Sequence, residues 1–385
     1  MRLAFTPEQE ALQVELRDYF TRLVQEVEGH PDSESTYLRY IRRMGEDGWL
    51  GLGWPKEYGG QGRGPIEQML FVEESHWAGV PLPLLTLNSV GPTLMALGTA
   101  DQKRQLLPRI LRGQLHFAIG YTEPGAGTDL AALETRAVRD GDEYVVNGQK
   151  LFTSAIEHAD YVWLAVRTDP DAPKHKGLSI LLVPTDAAGF HWVPLRTMAG
   201  EFTSATFYDD VRVPDTSLVG DENQGWKLIT NQLNHERVAI CPASGTLRSI
   251  QEVRRWAQQT RKPDGQRVID AEWVQTTLAR VTARAEFLKL LNWKVAWAAG
   301  RGLRPADASA TKVFGTEFAL EAYRLLMEIV GPAAYLEEGA PGAVLAGRLE
   351  RDYRSQVIFT FGGGTNEIQR DIIAMAGLGM PRAPR

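Results

Sequence analysis

The chain has 385 residues, 43% of them hydrophobic and 23% charged, a composition of globular type with enough length for two or three packed layers or subdomains. A net charge of -6 argues against non-specific binding to nucleic acid or anionic lipid, and seven scattered histidines without metal-ligand spacing argue against a metal enzyme. A single cysteine, Cys241, excludes a disulfide framework; together with a start that lacks a signal peptide's apolar core and no run long enough to span a membrane, it leads to the expectation of a cytoplasmic protein.

Residues 1–115 have a helical pattern. Thr6-Pro7-Glu8-Gln9 predicts a capped start: a hydroxyl N-cap, proline at the first helical position and glutamine closing the box. Leu12, Leu16, Tyr19, Leu23 and Val27 then recur at spacings of three and four, the mark of an amphipathic helix. Trp54-Pro55-Lys56-Glu57-Tyr58-Gly59-Gly60 breaks the pattern as a loop. Residues 116–225 change period. Tyr144–Gly148, Tyr161–Val166, Leu178–Val183 and Ala205–Pro214 are strand-like, and Asp140-Gly141-Asp142 is a turn. Short strands without intervening helices predict an antiparallel barrel or sandwich. Residues 226–385 are helical again: one long segment to about Gln259, then about Asp270–Ala299, Ala306–Val330 and Thr365–Ala376, four helices that suit a bundle with Trp293 and Trp297 packed in its core. The fold class is therefore α+β.

The stretch with chemical content follows the apolar run Phe117-Ala118-Ile119. Tyr121-Thr122-Glu123-Pro124-Gly125-Ala126-Gly127-Thr128-Asp129 turns through proline and glycine and offers hydroxyls and backbone N–H groups to an anion. Its glycine spacing is not that of a dinucleotide fingerprint. As written, this segment resembles the flavin-cradle signature of the acyl-CoA dehydrogenase family. Phe5–Gln9, Trp54–Gly60, Asn147-Gly148-Gln149-Lys150, Asp210–Pro214 and Phe361–Arg370 match the same family in order over nearly the whole chain.

The resemblance implies a helical N-terminal domain (1–115), a middle β-barrel (116–225) and a C-terminal four-helix bundle (226–385), with FAD as cofactor and an acyl-CoA as substrate. In the family reaction a base removes the α-proton, flavin N5 takes a hydride from the β-carbon, and a trans-2-enoyl-CoA results. The family's commonest base position falls here on Gly363, in Phe361-Gly362-Gly363-Gly364-Thr365-Asn366-Glu367, and a glycine cannot be a base; its N–H can still serve the thioester oxygen. In a subset of the family the base stands on the first bundle helix before an arginine, a position matched by Asn234-His235-Glu236-Arg237. Ile229, Leu233, Glu236 and Ile240 recur at helical spacing, which puts Glu236 on an apolar stripe where burial raises a carboxyl pKa toward a base's range. On spacing alone, Glu236 is better taken as half of a buried ion pair with Arg237, Arg248, Arg254 or Arg255. With Gly363 unable to serve, the resemblance makes it the base.

By the same resemblance Ile119, Tyr121, Thr122, Gly127, Thr128, Phe152, Ser154, Arg261, Thr365 and Glu367 contact the flavin or its pyrophosphate, and Thr128, Asn234, Arg237 and Gly363 contact the substrate. Without the family, Phe152 would be a core residue. Pro263 and Asp264 after Arg261, and Glu328 and Pro332 in Glu328-Ile329-Val330-Gly331-Pro332, depart from the half-site that members lend across a dimer, and a carboxylate beside a pyrophosphate is unfavourable. Together with Phe361–Glu367, Ala310–Glu317 and Gly53–Glu57, these features resemble subunits of actinobacterial steroid side-chain dehydrogenases, which are heterotetramers of two different chains. The implied partners are an electron-transfer flavoprotein and, in a homotetramer or heterotetramer, further acyl-CoA dehydrogenase chains. The alternatives are an oxygen-using acyl-CoA oxidase or flavin monooxygenase, or a non-catalytic supporting subunit.

Overall fold

The computed structural model describes residues 4–29, 35–236, 241–299 and 301–382, without the side chains of residues 231 and 233–236. In chain order the helices are α1 (Pro7–Gly29), α2 (Thr36–Glu46), α3 (Pro65–Ala78), α4 (Gly91–Leu97), α5 (Ala100–Leu111), α6 (Gly225–Glu236), α7 (Ser244–Gln259), α8 (Glu272–Ala299), α9 (Pro305–Val330), α10 (Arg348–Gln356) and α11 (Asn366–Ile372). The strands are β1 (Phe117–Gly120), β2 (Arg136–Asp140), β3 (Glu143–Lys150), β4 (Tyr161–Arg167), β5 (Leu178–Pro184), β6 (Phe190–Arg196), β7 (Phe202–Pro214) and β8 (Leu218–Val219). Two compact units divide the chain: one is Pro31–Arg63 with Leu82–Glu236, the other Met1–His30, Gly64–Pro81 and Arg237–Arg385. Among the described residues no helix is long and apolar enough to cross a membrane.

The unit that ends at Glu236 is built on a single sheet in the order β6-β7-β3-β2-β4-β5-β8, with β1 pairing to β4. Most pairings are antiparallel, as strand spacing predicts, but β1–β4 and β2–β4 run parallel. The reason is topological: a parallel pair needs a long crossover, and the cradle plus the β2–β3 hairpin supply it between β1 and β4. Gly120 permits that pairing, since a Cβ there would lie 2.8 Å from Leu164 Cδ1. Tyr144, Val146, Val162, Leu164, Val166, Leu181, Val183, Tyr208, Val211 and Val213 form the sheet's core. Helix α6 packs on β5 and α4.

In the other unit, α1 starts with the predicted box: Thr6 N donates to Gln9 Oε1 (3.1 Å) and Gln9 N to Thr6 Oγ1 (3.3 Å). Its stripe of Leu12, Leu16, Tyr19, Leu23 and Val27 is buried, and α1 packs on α3, which packs in turn on α7 and α8. The core of α7, α8 and α9 joins Ile250, Val253, Val274, Leu278, Val281, Leu288, Phe318, Ala322, Leu326 and Met327.

Three expectations need correction here. The segment expected to run unbroken to Gln259 is two helices, α6 and α7, and residues 241–243 between them are not helical. Pro242 explains the break, because it lacks an N–H and biases the residue before it away from helix. Trp297 does not pack in the core: it is 58% exposed and stacks with Arg301, whose Cζ lies 4.9 Å from the ring centroid. The buried stripe of α8 runs through Val274, Leu278, Val281, Ala285, Leu288, Asn292 and Val295, so Trp297 faces outward, while Trp293 is half-buried against Phe5 at 4.3 Å. Helix α10, absent from the sequence-based expectation, follows the glycine- and proline-containing stretch 339–342.

Candidate functional site

The cradle leaves β1 and folds back on itself at once. Glu123 N donates to Ala126 O (3.0 Å) and Ala126 N returns a bond to Glu123 O (3.1 Å), closing a tight turn over Pro124 and Gly125. Glu123 is the turn's anchor. Its buried carboxylate accepts from Lys150 Nζ (2.7 Å), Glu134 N (2.6 Å) and Thr135 N (2.9 Å), and Lys150 also donates to Tyr121 O at 3.2 Å. Burial alone would raise the Glu123 carboxyl, but the Lys150 charge and the converging donors hold it below the usual range. Burial pushes the Lys150 ammonium down to about 8 despite that carboxylate. Both groups shift downward because the ammonium is wholly desolvated, whereas the carboxylate keeps two backbone N–H donors besides the lysine.

Anchored in this way, the turn leaves Thr122 half-buried and Gly127 and Thr128 exposed, while Ile119 is half-buried at the end of β1. Tyr121 points inward. Trp163 Nε1 donates to its hydroxyl (3.1 Å), and the hydroxyl donates to Gln232 Oε1 on α6. The cradle is thus tied directly to the helix that carries Asn234 and Glu236. The backbones of those two residues lie in the last turns of α6; their side chains, and the whole of Arg237, lie outside the described residues.

Beside the cradle, Leu151 N donates to Thr122 O at 2.7 Å, and the chain then turns through Phe152. Phe152 has φ +60 and is 61% exposed, so it is not a core residue. A bulky side chain in the left-handed region is strained by about 1–3 kcal/mol, and such strain collects at functional sites. Ala155 at φ +59 shares the turn. Thr153 N donates to Ser204 O (2.9 Å), and the Ser154 and Thr203 hydroxyls lie 3.0 Å apart. The result is an aromatic ring held out toward solvent next to a hydroxyl-bearing edge. Phe152→Gly should therefore stabilise the protein by about 1 kcal/mol, since the strain goes and little burial is lost. Urea unfolding of the variant checks the sign.

The other unit contributes the loop before α11. Thr365 Oγ1 accepts from Ile368 N (3.3 Å), so its hydroxyl caps α11, and Glu367 is exposed in the first turn. The helix's own first-turn N–H and the Thr365 hydroxyl hold the Glu367 carboxyl below the usual range. Gly363 (φ +67) and Gly364 (φ +96) are both left-handed, a geometry that a glutamate at Gly363 would strain. Lys312, fully buried on α9, fastens the loop by donating to Thr360 O (3.2 Å), Gly364 O (2.8 Å) and Asn366 Oδ1 (2.8 Å). Arg261 is exposed and donates to Gly265 O of its own turn at 2.7 Å. Arg248, one of the candidate ion-pair partners for Glu236, pairs with Glu252 at 3.2 Å. Burial pushes the Cys241 thiol up to about 12, which leaves it un-ionised at neutral pH. Among the described residues no group of three or more His, Cys, Asp and Glu could hold a metal ion.

The chain matches the acyl-CoA dehydrogenase N-terminal domain over residues 6–114, the middle domain over 118–211 and the C-terminal domain over 223–378. It is 59% identical to acyl-CoA dehydrogenase FadE26 of Mycobacterium tuberculosis, over 100% of both chains. This chain belongs to the acyl-CoA dehydrogenase family. It is an oxidoreductase with that family's α+β fold. Among solved structures it resembles a chain of the ChsE4-ChsE5 complex from Mycobacterium tuberculosis (TM-score 0.94, 61% identity, 100% of both chains). It also resembles a chain of the Tcur3481-Tcur3483 steroid ACAD (TM-score 0.93, 49% identity, 100% of both chains).

Within this acyl-CoA dehydrogenase, Ile119, Tyr121, Thr122, Gly127 and Thr128 lie together on the cradle, next to Phe152 and Ser154, in one unit. Arg261, Gly363, Thr365 and Glu367 belong to the other. Two supports escaped the sequence reading. Lys150 shares the inward parity of Tyr144 and Val146 on β3, a legible sign of burial, but nothing in the pattern named Glu123 as its partner. The bond from Tyr121 to Gln232 joins residues 111 positions apart and leaves no local trace.

Proposed function

We propose that the chain catalyses FAD-dependent α,β-dehydrogenation of an acyl-CoA thioester to the trans-2-enoyl-CoA, with Glu236 as base. The proposed substrate is a steroid side-chain acyl-CoA, and the proposed electron acceptor an electron-transfer flavoprotein. The observation that carries this reading is Phe152, held exposed at φ +60 beside the Ser154–Thr203 hydroxyl edge and the anchored cradle. A flat aromatic platform with hydroxyl donors at its margin fits a flavin ring, and the open turn at Gly127 and Thr128 suits its pyrophosphate.

FAD, when bound, supplies the two-electron acceptor. Ile119, Tyr121, Thr122, Gly127, Thr128, Phe152 and Ser154 would hold it; Arg261, Thr365 and Glu367 are further residues proposed for cofactor binding, Arg261 in the half-site that members lend across a dimer. Asn234, Arg237 and Thr128 would bind the CoA arm. Glu236 takes the α-proton, and the Gly363 N–H meets the thioester oxygen where enolate charge develops. Gly363 has no side chain to offer as base, which leaves that duty to α6. The departures at Pro263, Asp264 and Glu328 favour a heterotetramer whose second chain completes the far half of the flavin site. The similarity to a two-chain complex and to a steroid ACAD supports both the assembly and the substrate class.

Anaerobic titration of the purified oligomer with a steroid side-chain acyl-CoA tests the reading. Bleaching of the flavin band is expected, with slow reoxidation on admitting air. Fast reoxidation would favour an oxygen-using oxidase. Bleaching by a short straight-chain acyl-CoA alone would overturn the steroid assignment.

A further inference from the structure

Strand β7 is 13 residues long and outruns its neighbour β3. The last residue of β3, Lys150, pairs with Thr206, so residues 202–205 at the start of β7 have β6 on one side and the turn after β3 on the other. Thr153 N donates to Ser204 O at 2.9 Å, which lays that turn along β7 and sets Ser154 beside Thr203. Their hydroxyl oxygens are 3.0 Å apart. The two side chains differ in surroundings: Ser154 is exposed, whereas Thr203 is buried, with 5% of its surface accessible. Among the described residues neither hydroxyl has another hydrogen-bond partner.

The proton count orients this pair. A hydroxyl carries one proton and accepts at two lone pairs. If Ser154 donated to Thr203, the Thr203 proton would be left in the interior without an acceptor, and a buried donor with its bond unmade bears the full cost of desolvation. The reverse arrangement bears none. Thr203 donates to Ser154, and the exposed Ser154 keeps its own proton for an acceptor outside the protein. The bond that Ser154 receives also polarises its hydroxyl and makes it a stronger donor. Valine at 203 would keep the branched shape that suits a strand, but it would leave Ser154 free to rotate and to accept as readily as donate.

We propose that Thr203 is a positioning residue for the cofactor: by donating to Ser154 it commits the Ser154 hydroxyl to donate in turn to an acceptor atom on the edge of the flavin ring. This role rests on the FAD-dependent reading given above. The test titrates FAD into the FAD-free oligomer and records the visible spectrum of the refilled protein. It compares wild type, Ser154→Ala, Thr203→Val, Thr203→Ser, and Ser154→Ala combined with Thr203→Val. Ser154→Ala weakens FAD binding about 5- to 10-fold, the worth of one hydrogen bond. Thr203→Val weakens it about 3-fold or more, though never beyond Ser154→Ala, and moves the flavin band in the same direction. The double variant binds as Ser154→Ala does, because Thr203 acts only through Ser154. Thr203→Ser keeps the donor and binds as wild type.

Wild-type affinity in Thr203→Val would overturn the proposal. So would losses that multiply in the double variant, since Thr203 would then act on its own, and so would a Thr203→Ser as weak as Thr203→Val, which would trace the effect to the methyl group. Should Thr203→Val not assemble, Thr203→Ala takes its place with the same expected outcomes. A wild-type oligomer that takes up no FAD is a separate result, and it overturns the FAD-dependent reading itself.

Discussion

Glu236→Gln should slow flavin reduction by acyl-CoA by about 10²–10⁴-fold, the usual contribution of a positioned general base, while the protein keeps its FAD. Glutamine matches glutamate in shape and can hold the same hydrogen bonds, so the change removes basicity and little else. The α-C–H of a thioester is a very weak acid, and its removal needs a carboxylate in a water-poor slot. The loop before α11 provides no substitute, because Gly363 has no side chain and its φ of +67 disfavours adding one. The measurement is anaerobic stopped-flow at the flavin absorbance band, with FAD content read from the same sample. If the variant bleaches as fast as wild type, the base lies elsewhere, on a partner chain, and this chain's part is cofactor binding and support.

Lys150→Met should destabilise the protein by about 3–5 kcal/mol, because it strands the buried Glu123 carboxylate without its cation. Methionine fills nearly the same volume, so lost packing adds little. The damage falls on the cradle: Glu123 anchors the turn after Tyr121, and Lys150 also holds Tyr121 O at 3.2 Å. Urea unfolding gives the loss in stability, and FAD retention should fall with it. Combining Lys150→Met with Glu123→Gln should recover part of the loss, since no unpaired charge remains; a double variant no better than the single one would sink the ion-pair explanation. Glu123 also sets a pH trend: held below its ordinary 4.5, it contributes stability that is present above that value and lost as the pH falls through its folded value.

The elements that were legible in the sequence were those with a local cause. The box at Thr6 and Gln9, the stripe from Leu12 to Val27 and the alternating strands around Tyr144 and Val162 all follow from contacts within a few residues. The misreadings share the opposite trait. Trp293 and Trp297 look like a core pair because aromatic residues four apart share a helix face, yet which face is inward depends on where α9 and α7 lie, and that put Trp297 in solvent. Likewise spacing alone would make Phe152 a core residue, whereas the turn after β3 sets its φ at +60 and leaves it exposed.

For function, the sequence by itself determined the chemistry on offer: a glycine-rich turn with hydroxyls after an apolar strand, a carboxylate before an arginine, and a glycine where a base would otherwise stand. Residue types and short spacings carry that much, because they specify donors, acceptors and proton carriers directly. Only the tertiary structure decided what holds those groups in place. Lys150 reaches Glu123 from 27 positions away, Thr203 reaches Ser154 from 49, and Tyr121 reaches Gln232 from 111. Such bonds form between chain segments that meet only once the sheet and the helices have packed. Their geometry is a property of the packed whole, and no local pattern encodes it.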